Sequence, residues 1–260
     1  MIKIVSGWSD KGGSTTALIE LTNELNRNNI EAVFYGPHEW HLDKCNSDLN
    51  NNLKINKDDT LITHFLQFPS RPNVKKVILV CHEKWWFKVG DIPQYWDTLV
   101  FLHNAHKEYH NSYTGESIII PNLKPDLIKI EKPELDLVAG IIGSIEDRKQ
   151  THKSIQRAFA DGCEKVKIFG SISDANYFEK YVKPLVLDNV ELVDFTTNKQ
   201  EMYDSIGRVY HSSKGEVACL VKDECYLTGT KFFGNEETDN EVSPLTNEEI
   251  INKWKILLEI

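Results

Sequence analysis

The sequence predicts an α/β protein of two Rossmann-like domains facing across a cleft, each a parallel sheet wound between helices. Three observations carry this. Short apolar runs stop at glycines, helical patterns with one apolar face follow them, and the alternation starts afresh after a proline-rich stretch near the middle of the chain. Runs that are apolar at nearly every position suit strands buried on both faces, as in a parallel sheet covered by helices.

The run Ile2–Ser6 ends at Gly7, and beyond Asp10-Lys11-Gly12-Gly13-Ser14 the residues Leu18, Leu21 and Leu25 recur at core-facing helical spacing. Further strand-like runs lie at 32–35, 61–65, 77–81, 98–102 and 117–120. The segment 121–137 carries Pro121, Pro125 and Pro133 among alternating charges and reads as a linker. Strands are then expected at 138–142, 166–169, 190–193 and 209–212, and helices at 153–160, 174–182, 199–207 and 217–227. The predicted domains are 1–135 and 136–260.

With 260 residues, 40% hydrophobic and 27% charged, the chain can bury large cores, which excludes disorder and small disulfide scaffolds. The net charge of -9 argues against a general polyanion binder. Cys45, Cys81, Cys163, Cys219 and Cys225 include no Cys-x-x-Cys pair, so reduced and mostly buried thiols are expected. No signal-peptide stretch and no membrane-length apolar run is present, and a soluble, cytoplasmic protein is expected.

Open α/β sheets bind ligands at the carboxyl ends of their strands, which points to the loops after Val5, Cys81, Ile142, Phe169 and Tyr210. In Gly143-Ser144-Ile145-Glu146-Asp147-Arg148-Lys149, two cations follow a strand at the approach to a helix. Helix N–H groups and cations favour the same anion, a diphosphate, although a solvated charged loop is an equal reading. Further on, Ser212-Ser213-Lys214-Gly215-Glu216 leads into a predicted helix, with Glu224 slightly more than two turns later. That spacing places both carboxylates on one side of the helix, where they can accept hydrogen bonds from sugar hydroxyls.

The Glu, seven residues, Glu spacing, followed by Gly229-Thr230 and the apolar Lys231-Phe232-Phe233, resembles the signature of retaining GT-B glycosyltransferases of family four. Other landmarks come in that family's order. Lys11-Gly12-Gly13-Ser14 resembles its amino-terminal glycine loop, Cys81-His82-Glu83 its strand-ending histidine, Ile119-Ile120-Pro121-Asn122 its turn before the second domain, and Gly143 with Lys149 its phosphate loop.

The resemblance implies transfer of a hexosyl or pentosyl group from a nucleotide-diphosphate sugar, a UDP-sugar preferred, to an acceptor hydroxyl. Catalytic roles fall to Glu216, His82 and Lys149, and donor binding to Gly12, Gly13, Gly143, Arg148, Lys149, Glu216 and Glu224. In that scheme Lys149 holds the diphosphate, Glu224 the ribose hydroxyls and Glu216 the transferred sugar. Three departures stand out: Ser144 where the family has a phosphate-binding arginine, Gln150 for the glycine after the lysine, and Lys231 for the proline after Gly-Thr. No Asp-x-Asp triplet is present to bridge a metal to the donor, so no cofactor and no obligatory metal are expected.

Acceptor candidates are His64, Trp85, Trp86 and His103. Trp85-Trp86-Phe87, flanked by lysines, suits stacking on a sugar or a flipped base, shallow insertion at a membrane interface, or plain packing under a loop. With the resemblance to enzymes of this architecture, the acceptor expected is a glycan or the hydroxymethylated base of a phage DNA. His103, His106 and His110 stand at helical spacing but lack a clear completing ligand, so surface or cleft histidines are the preferred reading over a metal face. Asp10-Lys11-Gly12-Gly13-Ser14 lacks the Gly-Lys-Ser/Thr core of a P-loop. The alternative from another class is a non-catalytic nucleotide- or sugar-binding module on the same fold, which the serine at 144 would suit.

Overall fold

The computed structural model describes residues 1–7, 12–36, 45, 53–66, 68–82, 95–110, 113–238 and 242–260. The chain forms two compact units, Met1–Leu123 with Ser243–Ile260, and Lys124–Val242.

In the first unit, β1 (Ile2–Ser6), β2 (Ala32–Tyr35), β3 (Thr60–His64), β4 (Lys76–Val80), β5 (Thr98–Phe101) and β6 (Ser117–Ile119) make a parallel sheet in the order β2-β1-β3-β4-β5-β6 among the described residues. Every residue of β1, β3 and β5 is buried, as mostly apolar strands covered on both faces require, and the buried Lys3 is paired with Asp59 at 2.6 Å. Helix α1 (Gly13–Arg27) buries Leu18, Leu21 and Leu25 as its spacing predicts. On one face of the sheet Leu61, Val77, Leu79, Trp96, Leu99 and Phe101 share a core. The expected strand to residue 65 stops at His64, because Phe65 turns to a φ of 49°. A short helix α2 (Asn104–Tyr109) follows β5.

The second unit holds β7 (Val138–Ile142), β8 (Lys165–Phe169), β9 (Val190–Leu192), β10 (Arg208–Tyr210) and β11 (Lys231–Phe233), parallel and ordered β11-β10-β7-β8-β9. Between them run α3 (Thr151–Ala160), α4 (Ala175–Tyr177, continued by a wide turn over Phe178–Val182), α5 (Lys199–Asp204) and α6 (Leu220–Thr228). Ile155, Ala158, Val166, Ile168 and Tyr210 share one core, and Met202, Tyr203, Ile206, Val209 and Cys225 another.

The units meet in sequence at Leu123 and Lys124, not at 135 and 136. The physical reason is that the proline-rich stretch belongs to the second unit. Ile128 exchanges hydrogen bonds with Gln200 at 2.8 and 3.2 Å, Lys132 donates to the Tyr203 carbonyl, and Leu127 packs against the core around Tyr203. The expectation that the second domain runs to residue 260 is also corrected. Helix α7 (Asn247–Leu258) packs with the first unit: Lys76 Nζ donates to the Leu257 carbonyl at 2.8 Å, and Lys255 Nζ to Asn28 Oδ1 at 3.0 Å. Among the described residues no helix is long and apolar enough to cross a membrane, and Cys81, Cys163, Cys219 and Cys225 are buried free thiols.

Candidate functional site

In the second unit the strand order reverses between β7 and β10, the position at which open α/β sheets bind ligands. The loop after β7 carries Gly143 to Lys149, and the loop after β10 carries His211 to Glu216. Gly143 N–H donates to the Phe169 carbonyl and Ile145 N–H to the Ser171 carbonyl, both at 2.9 Å, which lays the loop after β7 against the loop after β8. Gly143 takes a φ of +130°, and a Cβ on Gly170 would lie 1.9 Å from the Gly143 carbonyl oxygen, so both positions require glycine. Gln150, at the place of a family glycine, adopts the left-handed conformation (φ 52°) a glycine would take freely. Its amide donates to Asp147 Oδ1 at 3.1 Å, which offsets part of the strain.

The two loops are tied together by Lys214 N–H on the Arg148 carbonyl at 2.8 Å, by Arg148 on the Gly215 carbonyl at 3.2 Å, and by a Lys214–Asp147 ion pair. Within this frame Lys149 Nζ meets Glu216 Oε1 at 2.5 Å, His211 Nε2 lies 3.0 Å from the same oxygen, and Arg148 stands 3.7 Å away. Burial raises the Glu216 carboxyl, but the charge of Lys149 and the bond with His211 outweigh it and hold the group well below the usual carboxylate range. Burial lowers the His211 imidazole, with Lys149 and Arg148 adding to the effect against the pull of Glu216. Ser144 Oγ donates to Glu146 Oε1 at 3.0 Å, and Arg148 pairs with the same oxygen at 2.9 Å. The guanidinium beside Glu216 is thus that of Arg148.

One expectation is corrected here. Helix α6 starts at Leu220 and not at 217, because the cross-loop bonds at Ser213, Lys214 and Gly215 hold the chain out of helical geometry. Glu216 therefore lies in the loop, and the two glutamates do not line one helix face together. Glu224 is 4% exposed, accepts from Tyr203 Oη at 2.8 Å and pairs with Lys199 Nζ at 2.5 Å. Burial and the Glu224 charge push the Tyr203 hydroxyl well above its usual range, so Tyr203 is a neutral donor.

In the first unit the strand order reverses between β1 and β3. Ser6 Oγ lies 3.0 Å from His64 Nδ1, and the His64 ring meets the His82 ring edge-on at 5.1 Å. Burial, aided by His64 and His106, keeps His82 well below the ordinary imidazole range. His82 also borders a small apolar cavity with Leu18, Val80, Ile120 and Trp254. His103 caps α2, accepting from the His106 N–H at 3.2 Å, so His64, His82 and His106 gather while His103 serves the helix end. Gly12 precedes the first turn of α1, Gly13 opens it, and a Cβ on Gly12 would meet nothing within 4 Å. Among the described residues no group of three or more His, Cys, Asp or Glu could hold a metal. Trp85 and Trp86, with Lys11 and Glu83, lie outside the described residues.

Two features were missed from the sequence. His211 falls inside the strand expected at 209–212, which left no local signal of a site residue. The Lys199 and Tyr203 partners of Glu224 left none, since only the packing of α5 on α6 brings them near.

A comparison with protein-family models found no match, and no curated protein matched in sequence. Solved structures do match. Anabaena Alr3699/HepE in complex with UDP-glucose is 12% identical with a TM-score of 0.67, over 99% of this chain and 89% of that one. WaaG, a glycosyltransferase involved in lipopolysaccharide biosynthesis, is 11% identical with a TM-score of 0.66, over 100% and 91%. AviGT4, a glycosyltransferase involved in Avilamycin A biosynthesis, is 13% identical with a TM-score of 0.62, over 96% and 87%. At these identities the likeness establishes the fold: two parallel-sheet α/β units of the GT-B kind.

Proposed function

We propose that the protein is a glycosyltransferase that moves a sugar from a nucleotide-diphosphate donor, preferably a UDP-sugar, to an acceptor hydroxyl with retention of configuration. The observation that carries this is the grouping of Lys149, Arg148, Glu216 and His211 at the β7/β10 reversal of the sheet. The UDP-glucose held by the similarly folded HepE supports the choice of donor.

In this reading Lys149 and Arg148 receive the negative charge that builds on the departing diphosphate. Glu216, kept ionised, favours the oxocarbenium-like sugar and accepts from its hydroxyls. The ribose hydroxyls meet the Lys199–Glu224 pair from the Lys199 side, the more exposed of the two. His82 and His64, neighbours in the first unit, serve the acceptor hydroxyl. Cations of the protein fill the charge-neutralising role, and no metal is required in the scheme.

The test is a thermal-shift screen with UDP, GDP and ADP, followed by assay of UDP release from UDP-glucose with glycan and hydroxymethylated-DNA acceptors offered in turn. A ligand at about a hundred times its Kd adds about 2.7 kcal/mol to stability, a shift of several degrees. Stabilisation by one diphosphate with turnover of its sugar conjugate is expected. Binding without any hydrolysis or transfer would instead mark a non-catalytic binding module.

A further inference from the structure

Resting on the nucleotide-sugar reading of this site, we infer that His211 is a positioning residue that keeps Glu216 in place when a diphosphate draws Lys149 away from it. The contacts to Glu216 converge on one oxygen: Lys149 Nζ at 2.5 Å, His211 Nε2 at 3.0 Å and Arg148 Nη1 at 3.7 Å all face Oε1. The three donors differ in mobility. Lys149 reaches Oε1 on a flexible four-carbon stem, and the Arg148 side chain is 45% exposed. His211 is 4% exposed, its N–H is bound to the Phe233 carbonyl at 3.0 Å, and its ring lies against Phe232 at 6.3 Å. The backbone that carries the imidazole is thus anchored to β11, and burial confines the ring.

A diphosphate carries more negative charge than one carboxylate and is the stronger attractor for both mobile cations. Once they turn to it, Glu216 would be a largely buried carboxylate without a partner, an arrangement that costs several kcal/mol or forces protonation. His211 prevents this. Because Glu216 is ionised, Nε2 must carry a hydrogen and donate it, which fixes the neutral tautomer. The charged groups facing His211 are Glu216, Lys149 and Arg148, and the nearby Cys219 thiol, pushed up to about 12 by burial and Glu216, stays neutral. Burial is the main influence holding His211 neutral and it persists, but when both cations turn to the diphosphate the added repulsions of Lys149 and Arg148 weaken while the attraction of Glu216 remains. The balance at the ring thereby moves toward uptake of a proton from solvent at Nδ1, which would strengthen its bond to Glu216 as Lys149 leaves. Donor binding is therefore coupled to proton uptake, and Oε1 stays anchored while Oε2 faces the sugar.

The test is calorimetric titration of UDP at pH 7 in buffers of different ionisation enthalpy, with wild-type protein and His211→Gln. Gln offers an amide N–H near the position of Nε2 but cannot take the proton. Wild type is expected to take up a measurable fraction of a proton per UDP, rising as the pH is lowered, and His211→Gln to bind within about threefold of wild type with no uptake. With UDP-glucose, His211→Ala should lower kcat at least tenfold with a smaller change in KM, and Gln should recover part of that loss. Uptake that persists in His211→Gln, or UDP binding to wild type without uptake, would overturn the inference and leave the donor site standing. Failure of wild type to bind UDP and pyrophosphate alike would sink both. If the Ala variant does not fold, the proton count of the Gln variant still decides.

Discussion

Replacing Lys149 by methionine removes one charge and keeps most of the side-chain volume, so it separates charge from packing. In the ligand-free protein the change strips Glu216 of the cation at 2.5 Å, leaving His211 at 3.0 Å and Arg148 at 3.7 Å. Breaking a fully buried ion pair costs about 3 to 5 kcal/mol, but these side chains are 18% and 12% exposed and Glu216 keeps a donor. The expected loss of stability is about 1 to 3 kcal/mol. Its sign with pH follows from the depressed Glu216 carboxyl: the pair stabilises the fold above the unfolded carboxylate range and loses that contribution as pH falls below it. Wild type and Lys149→Met should therefore differ most in Tm near neutrality and converge in acid. On catalysis, loss of one preorganised cation at the leaving group costs about 2.7 to 4 kcal/mol, a factor of about 100 to 1,000 in kcat. Initial rates of UDP release from UDP-glucose would measure it. Wild-type kcat in a variant whose melt confirms folding would refute the assignment of Lys149 to the diphosphate.

Four further outcomes are expected. Burial raises the Asp223 carboxyl to about 6, and its Oδ1 is buried without a hydrogen-bond partner. The folded protein thus holds that proton more tightly than the unfolded chain, stability declines as pH rises from about 4 to 6, and Asp223→Asn should add about 1 to 3 kcal/mol at pH 7 but little at pH 4, read as Tm. Glu224→Ala leaves the buried Tyr203 hydroxyl without its acceptor and should cost about 2 to 4 kcal/mol in urea unfolding, with weaker UDP binding by calorimetry. Gly170→Ala drives a Cβ into the backbone of the loop after β7 and should abolish UDP binding or folding, whereas normal binding would show that the loops can part. Thr246→Ala removes the capping box of α7 and should cost about 1 kcal/mol in the first unit.

Both sheets were legible because the cue was simple: the apolar run Ile2–Ser6 is buried throughout and Val138–Ile142 at its three central residues, as their composition requires. Helix α7 was legible too, though unread. Thr246 and Glu249 spell a capping box, and Ile250, Ile251, Trp254, Leu257 and Leu258 follow on one buried face. What no local pattern supplies is which unit α7 joins, since that rests on Lys76 and Lys255, the latter meeting Asn28 from the far end of the chain. The loop bearing Lys149 was legible from a glycine, two cations and a following helix. Its partner His211 was hidden because a histidine beside a strand has no meaning until the order β10-β7 sets it next to Lys149.

The two glutamates show where spacing stops being informative. Eight positions on a regular helix would bring Glu216 and Glu224 to one side, and the expectation depended on the helix being regular from its first residue. Instead the chain from Ser213 to Gly215 bonds to Arg148 and to itself, which postpones α6 to Leu220. That delay gives the carboxylates different tasks. Glu216 stays at the strand ends beside Lys149, Arg148 and His211, where the proposed donor anion would compete for its partners. Glu224 turns to Tyr203 and Lys199, where its charge fixes α5 against α6. If the proposed donor diphosphate exchanges the ion-pair partners of Glu216, the site requires one carboxylate free of helical restraint and a second one holding the wall behind it. Exchange at Glu216 without loss of the wall is what the delayed start of α6 permits. A substitution that lets the helix begin at 217 should therefore impair the handling of a diphosphate more than it impairs folding.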